Sequence, residues 1–266
     1  MASFHRNVAM DFPYIVSGFL VGTLVGMTGV GGGSLMTPLL VLLFGVAPAT
    51  AVGTDLLFAA LTKTSGVFAH ARRDNVDWNA VGRLASGSVP ASVVTLVLLH
   101  IFVSDSARLS AIMSATLGIA LILTAGALVF REELRVWAGR HAGARILPES
   151  PPARTIAAGA ILGVLVTASS VGAGALGVTA LMFLYPGLGA ARIVGTDIAH
   201  AVPLTLVAGL GHAAAGAIDW RLLAALLVGS LPGIWIGSAL SHRIPERVLR
   251  GALAAMLALV GGRLAF

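Results

Sequence analysis

Two glycine-rich breaks within long apolar runs contain the residues of this chain that are best suited to chemistry. The first is Gly-Val-Gly-Gly-Gly-Ser at 29–34, and the second is Ser-Val-Gly-Ala-Gly-Ala at 170–175. A helix that restarts after such a break exposes unpaired backbone N–H groups, and its dipole adds partial positive charge there. The alternative is that these glycines only let helices pack closely. We favour an anion site, with substrate contacts from Gly31, Gly32, Gly33, Ser34, Gly172 and Gly174.

A Thr-Asp pair follows each break in otherwise apolar surroundings. These pairs are Thr54-Asp55 and Thr196-Asp197. An acid at membrane depth costs about 2.5–3.5 kcal/mol or more, so it normally faces a cavity and has a partner. The functional interpretation is that these aspartates couple a proton or cation or shape the substrate cavity. The alternative is that each aspartate caps a helix near the membrane interface.

Two further residues break the apolar pattern in the same helices. Lys63 is the only lysine in the chain and lies in the middle of a helix, which favours an anion ligand over a side chain that extends to the interface. His200 follows Asp197 by three residues on one helix face, so the two can pair and transfer protons. We interpret His70 and His212, at predicted helix ends, as interface residues.

Several kinds of chemistry are excluded by what the chain lacks. Without cysteine it has no disulfide, iron–sulfur cluster or thiolate zinc site, and its histidines and carboxylates do not have metal-ligand spacing. No P-loop lysine follows the glycines, which excludes that type of nucleotide site. Ser34 and Ser170 have no histidine at helical spacing to activate them. We therefore predict no enzyme activity, no catalytic residues, no metal and no cofactor.

The composition indicates that transmembrane helices position these residues. Of 266 residues, 57% are hydrophobic and 11% charged, against about 25% charged in ordinary globular domains. Several apolar runs exceed the ~18 residues that mark a transmembrane helix. The net charge of +6 comes from arginines between these runs, as in membrane loops, and not from a nucleic-acid-binding face. The sequence therefore predicts an all-α, polytopic membrane protein in contact with the lipid bilayer.

The chain is also internally duplicated. At an offset of 142, Val-Gly-Thr-Asp at 52–55 recurs at 194–197, and Asp77-Trp78 recurs as Asp219-Trp220. At the same offset, Gly-Ser-x-Pro at 87–90 recurs at 229–232, and at 141 the first glycine break aligns with the second. Paired glycine-interrupted apolar segments in two halves indicate a transporter binding site.

This duplication defines the domain organisation. We predict a first membrane repeat at 12–130, a basic cytoplasmic linker at 131–154 and a second repeat at 155–266. Each repeat has a glycine-broken segment followed by three transmembrane helices. The repeats are inverted if the broken segment forms a hairpin and parallel if it crosses once. We favour inversion, because the parallel layout would place the arginine-rich segment 242–250 outside.

The paired motifs Gly-Val-Gly-Gly-Gly-Ser, Val-Gly-Thr-Asp and Gly-Ser-x-Pro resemble those of the TauE/SafE family of sulfite and organosulfur-anion permeases. The resemblance implies a multi-pass carrier in the bacterial inner membrane for anions such as sulfite, sulfonates or sulfoacetate. It also implies that the glycine breaks and Thr-Asp pairs line the substrate path. We expect a secondary transporter that works by alternating access. The alternative is an anion channel of the same architecture.

Overall fold

The computed structural model describes residues 2–28, 33–103, 105–134, 136, 152–240 and 246–265. Its helices, numbered in chain order, are α1 (Ala2–Thr28), α2 (Gly33–Phe44), α3 (Pro48–Ala71), α4 (Trp78–Phe102), α5 (Ser106–Val129), α6 (Pro152–Ser169), α7 (Ala175–Leu184), α8 (Ala190–Ala214), α9 (Trp220–Leu240) and α10 (Glu246–Ala265). No strand occurs in these ranges. The predicted all-α class is therefore confirmed.

The described helices also have the lengths that a bilayer requires. Five of them, α4, α5, α6, α8 and α9, are long and apolar enough to cross a membrane. Shorter apolar stretches lie in α1, α2, α7 and α10. The hydrocarbon core is about 30 Å thick, which about 20 helical residues span. The prediction of a polytopic membrane protein is confirmed.

Two helices begin before the predicted repeats do. α1 begins at Ala2, although the first repeat was predicted to begin at 12, and it continues through Pro13. A proline has no backbone N–H to donate, and here the helix continues despite the missing hydrogen bond. Most of the linker predicted at 131–154 lies outside the described residues, and α6 begins at Pro152. Proline is favoured in the first turn of a helix, where its missing N–H would have no partner anyway.

The repeated Asp-Trp pair marks the start of α4 and of α9. Asp77 Oδ1 accepts a hydrogen bond from Ala80 N at 3.0 Å, and Asp219 Oδ1 accepts one from Leu222 N at 2.9 Å. Both aspartates therefore cap first-turn N–H groups of these helices. The tryptophans that follow, at 78 and 220, are exposed, as expected for side chains that anchor a helix at the membrane interface.

Glycines let one long helix of each half pack against a helix of the other half. A Cβ at Gly18 or Gly22 of α1 would overlap the backbone of Leu226 or Ser230 of α9. The same arrangement recurs between α6 and α4, where Gly159 and Gly163 meet the backbone at 84 and 88. The residue numbers rise together in both pairs, so each pair is parallel. These glycines, at four-residue spacing, are therefore contacts between the halves.

The equivalent helices α3 and α8 cross at the centre of the molecule in opposite directions. A Cβ at Gly53 would lie 3.0 Å from His212 Cβ, whereas one at Gly66 would lie 3.4 Å from Ile198 Cγ2. The residue numbers fall on one helix as they rise on the other, which identifies an antiparallel pair. The residues with predicted chemistry, from Asp55 to Lys63 and from Asp197 to His200, therefore lie in the interface between the halves.

Candidate functional site

The second glycine break is a true interruption between two helices. α6 ends at Ser169 and α7 begins at Ala175. Gly172 has φ 114°, a conformation that residues with side chains rarely adopt, and its carbonyl accepts a hydrogen bond from Gly177 N at 3.0 Å. The Gly172 carbonyl thus pairs with the Gly177 N–H in the first turn of α7, and this bond fixes the backbone conformation of the break.

Only the last residues of the first break lie within the described part of the chain. Gly31 and Gly32 lie outside the described residues, and α2 begins at Gly33. Ser34 belongs to α2, but the position of its side chain is also outside the described set. The predicted anion contacts of these four residues therefore stay predictions.

Lys63 connects α3 of the first half to the break of the second half. Its ammonium group donates a hydrogen bond to the carbonyl oxygen of Ala173, the residue between Gly172 and Gly174. The side chain is only 8% exposed, so it does not extend to the interface as the alternative required. A buried ammonium needs partners with negative charge. Lys63 has two within electrostatic range, Asp197 and Asp55.

Asp55 is fully buried beside the first half-helix. Its Oδ2 accepts a hydrogen bond from Thr37 Oγ1 of α2 at 2.5 Å. The Ser170 hydroxyl of the opposite half also lies near this carboxyl group, but without the geometry of a hydrogen bond. Oδ1 has no hydrogen-bond partner. The carboxyl group therefore faces both halves and keeps one oxygen free.

Asp197 occupies the equivalent place beside the second half-helix. It is 2% exposed, and its Oδ1 packs so closely on Gly177, in the first turn of α7, that any Cβ there would overlap it. Oδ1 has no hydrogen-bond partner. The dipole of a helix favours negative charge at its N-terminal end. Asp197 therefore lies where the break was predicted to bind an anion.

His200 is buried next to this site but bonds in another direction. Its Nε2 lies 2.8 Å from Ser88 Oγ of α4, and its Nδ1 has no hydrogen-bond partner. The direct hydrogen bond expected between His200 and Asp197 is therefore not made. Lys63 also interacts electrostatically with His200. The histidine thus belongs to the same charged group without touching the acid.

The two threonines of the repeated tetrapeptides make reciprocal contacts between the halves. Thr54 Oγ1 accepts a hydrogen bond from Asp219 N at 3.2 Å, and Thr196 Oγ1 accepts one from Asp77 N at 2.9 Å. The fully buried hydroxyls thus hold the capping loop of the opposite half. This contact accounts for the threonine in each Val-Gly-Thr-Asp, and the predicted substrate contact of these two residues stays a prediction.

Sequence reasoning missed three residues with buried polar contacts. Thr37 bonds to Asp55, and Ser88 bonds to His200. Ser88 could have been found, because it belongs to the repeated Gly-Ser-x-Pro motif. Thr37 could not, because a single threonine in an apolar helix does not stand out. His212 was interpreted as an interface residue, but it is 5% exposed and donates from Nε2 to the Thr167 carbonyl at 2.9 Å. The cause is α6, which covers this end of α8 in a way that the sequence does not indicate.

Comparison with known proteins gives consistent results over the whole chain. Residues 14–264 match the family model described as sulfite exporter TauE/SafE. A probable membrane transporter protein of Bacillus subtilis, YjnA, is 39% identical over 258 residues, which cover 96% of this chain and all of that protein. A second Bacillus subtilis protein with the same description, YdhB, is 29% identical over 93% of this chain and 97% of its own length. No solved structure is significantly similar.

Proposed function

Because the chain belongs to the sulfite exporter TauE/SafE family and is a multi-pass membrane transporter, we propose that it moves small sulfur-containing oxyanions by alternating access. The substrates are of the sulfite, sulfonate or sulfoacetate type, and the bacterial inner membrane is the expected location. The substrate binds between the two glycine-broken segments, and a proton or cation moves with it.

The orientation of the halves supports alternating access. α3 and α8 are equivalent helices, and they run antiparallel against each other. Parallel repeats would make equivalent helices parallel, so this contact supports inverted repeats. Each half then has five segments, because the broken segment turns back as a hairpin. Inverted repeats let a carrier expose one central site to either side of the membrane in turn.

Lys63 is the observation that carries the anion site. It is buried between the halves and bonds to a backbone carbonyl that an anion could replace. Its repeat counterpart is Thr205, which bonds only within its own helix, to the Ala201 carbonyl at 2.8 Å and weakly to the Val202 carbonyl at 3.4 Å. The cation is thus an addition to one half and not a requirement of the shared fold.

The charges of the site support coupling. One ammonium group, Lys63, faces two buried carboxyl groups, Asp55 and Asp197. With both carboxylates ionised the site is already negative by one charge, so an arriving anion would be repelled. An anion binds favourably only when a titratable group of the site takes up a proton at the same time. This requirement favours a carrier over a channel without coupling.

The test is a binding and flux assay on the purified protein. We expect at least one of sulfite, sulfate, taurine and sulfoacetate to bind, and its uptake into liposomes to respond to an imposed pH gradient. Replacing Lys63 with Met should weaken binding by roughly 1.5–3 kcal/mol, as for other hydrogen bonds to charged groups. That loss is about 10- to 150-fold in Kd.

Thr205→Val is the matched control, since it changes the equivalent position of the other half and should leave binding intact. Unchanged affinity in the Lys63→Met protein would remove Lys63 from the site. Flux of the wild-type protein that does not saturate and ignores the pH gradient would favour the channel.

A further inference from the structure

A cavity opens at one end of the molecule, away from the charged site. Its volume is ≈ 500 Å³, and it lies where the C-terminal ends of α4 and α8 meet the N-terminal ends of α3 and α5. His100 and His212 contribute the titratable groups of an otherwise apolar lining. The basic linker predicted at 131–154 follows the other end of α5, about 36 Å away at 1.5 Å per residue. By the positive-inside rule, the cavity faces the outer side.

A line of polar side chains runs from this cavity towards His200. We call Ser88, Ser92, Thr167 and His212 the polar seam. Thr167 Oγ1 donates to Ser92 Oγ at 2.8 Å, and His212 Nε2 donates to the Thr167 carbonyl at 2.9 Å. Ser88, one turn before Ser92 on the same face of α4, bonds to His200 Nε2. The seam covers the ~18 Å between His200 and His212 along α8.

The duplication provides an internal comparison for this seam. The positions equivalent to His200, Ser92 and Thr167 are Phe58, Ile234 and Gly26, all of which lack polar side chains. The backbone packing between the halves is nevertheless the same, as the paired glycine contacts show. The other two seam residues, Ser88 and His212, do have polar equivalents, Ser230 and His70. Buried polar side chains are costly within a membrane, and the other half folds without a polar pair at the positions of Ser92 and Thr167. The fold therefore does not require the pair that joins the two ends of the seam.

We propose that the polar seam is the route by which the coupling proton reaches His200 from the outer side. Water in the cavity passes a proton to one ring nitrogen of His212, and the other, Nε2, releases its own proton. The Thr167 carbonyl cannot pass a proton on, so water bridges Nε2 to the Thr167 hydroxyl, and it likewise bridges Ser92 to Ser88. Each hydroxyl accepts one proton and releases another, so the seam itself is unchanged. The proton ends on His200 Nε2. Lys63 is within electrostatic range of this histidine, Asp197 lies three residues before it on α8, and His100 shares the cavity with His212. The inference rests on the proposed function.

The experiment separates proton movement from substrate movement in liposomes that contain the full chain. Net uptake of a bound anion driven by a pH gradient requires the proton, whereas exchange of labelled for unlabelled anion at equal pH does not. We expect Ser92→Ala combined with Thr167→Val to lower gradient-driven uptake by about tenfold or more, since positioned proton-transfer groups contribute ~100-fold or more. Exchange and Kd should stay within about twofold.

Thr95→Val is the control, because Thr95 is also on α4 but bonds only to the Ala91 carbonyl of its own helix. It should behave as the wild type in both assays. Gradient-driven uptake at the wild-type rate in the double variant would overturn the seam as the proton route, while the proposed carrier function would stand. A double variant that loses exchange as well also overturns it, because the seam then serves substrate binding or folding. A wild-type protein that exchanges anion but shows no response to the gradient removes the coupling and the seam together.

Discussion

At the scale of single residues, the proposed site contains buried polar atoms that make no hydrogen bond with the surrounding described residues. Asp55 Oδ1 and Asp197 Oδ1 are buried without hydrogen-bond partners. An unsatisfied buried polar atom costs about 1–3 kcal/mol. Such a cost at two equivalent positions within electrostatic range of one buried lysine supports the proposed site, where a ligand or a proton would complete the bonding.

Gly177 tests this interpretation without changing any charge. Asp197 packs directly on it, so Gly177→Ala should push the carboxyl group away from the first turn of α7. We expect loss of anion transport with only a modest change in stability, because a single methyl group in a packed core costs about 1–3 kcal/mol. Transport and the thermal unfolding of the detergent-purified protein measure the two effects.

Gly187→Ala is the matched control, since nothing lies within 4 Å of a Cβ at that position. Wild-type transport in the Gly177→Ala protein would mean that the position of Asp197 over this helix end does not matter for function.

The sequence predicted which residues are unusual but not what they touch. Lys63, Asp55, Asp197 and His200 stand out because charge is rare in apolar helices, and all four are buried at the centre of the molecule. Their partners could not be predicted, since Lys63 bonds to a residue 110 positions away and His200 to one 112 positions away. Those contacts follow from how the halves pack, which periodicity within a helix does not encode.

At the scale of elements, the glycines of this chain have two separate uses. In the second break, Gly172 allows a backbone conformation that interrupts the helix. In α1 and α6, glycines at four-residue spacing let the backbone of a helix from the other half approach closely. The sequence predicted the break, whereas the packing of these glycines against partner helices emerged only from the structure.

Gly163 provides the test of the second use. A Cβ there would overlap the backbone of Ser88, which cannot move aside as the end of a side chain could. We expect Gly163→Ala to destabilise the protein by about 1–3 kcal/mol, in the range of other overpacked cores. The measurement is the thermal midpoint of the protein in detergent.

Gly126→Ala on α5 meets no atom within 4 Å and should be neutral or slightly stabilising, by about 0.5–1 kcal/mol. Equal midpoints for the two variants would show that α4 and α6 do not approach each other as closely as described.

At the scale of the whole molecule, the contacts between the halves occur in matched pairs. α1 packs on α9 as α6 packs on α4, and α3 crosses its own equivalent, α8. The duplication in the sequence predicted two similar halves. Only the distribution of arginines between the apolar runs favoured an inverted arrangement, because motif spacing is the same whichever way a segment crosses the membrane.

Single cysteines at equivalent positions test the inverted arrangement. The chain contains no native cysteine, and Asp74 and Gly216 are exposed at equivalent turns with similar positive φ, 51° and 72°. Inverted repeats predict that Asp74→Cys is labelled by an impermeant thiol reagent from one side of the membrane and Gly216→Cys from the other. Labelling of both from the same side would support parallel repeats.

The reciprocal bonds of Thr54 and Thr196 have a consequence for the history of this fold. Each half offers a threonine and a capping loop, and each completes the other's pair. Two separate copies of one half could make the same two bonds around a twofold axis, as in any isologous dimer. A half-length ancestor would thus have been complete as a homodimer. Fusion of two such genes would have let each copy change alone, and Lys63 in one half and the polar pair of Ser92 and Thr167 could then arise without a counterpart in the other.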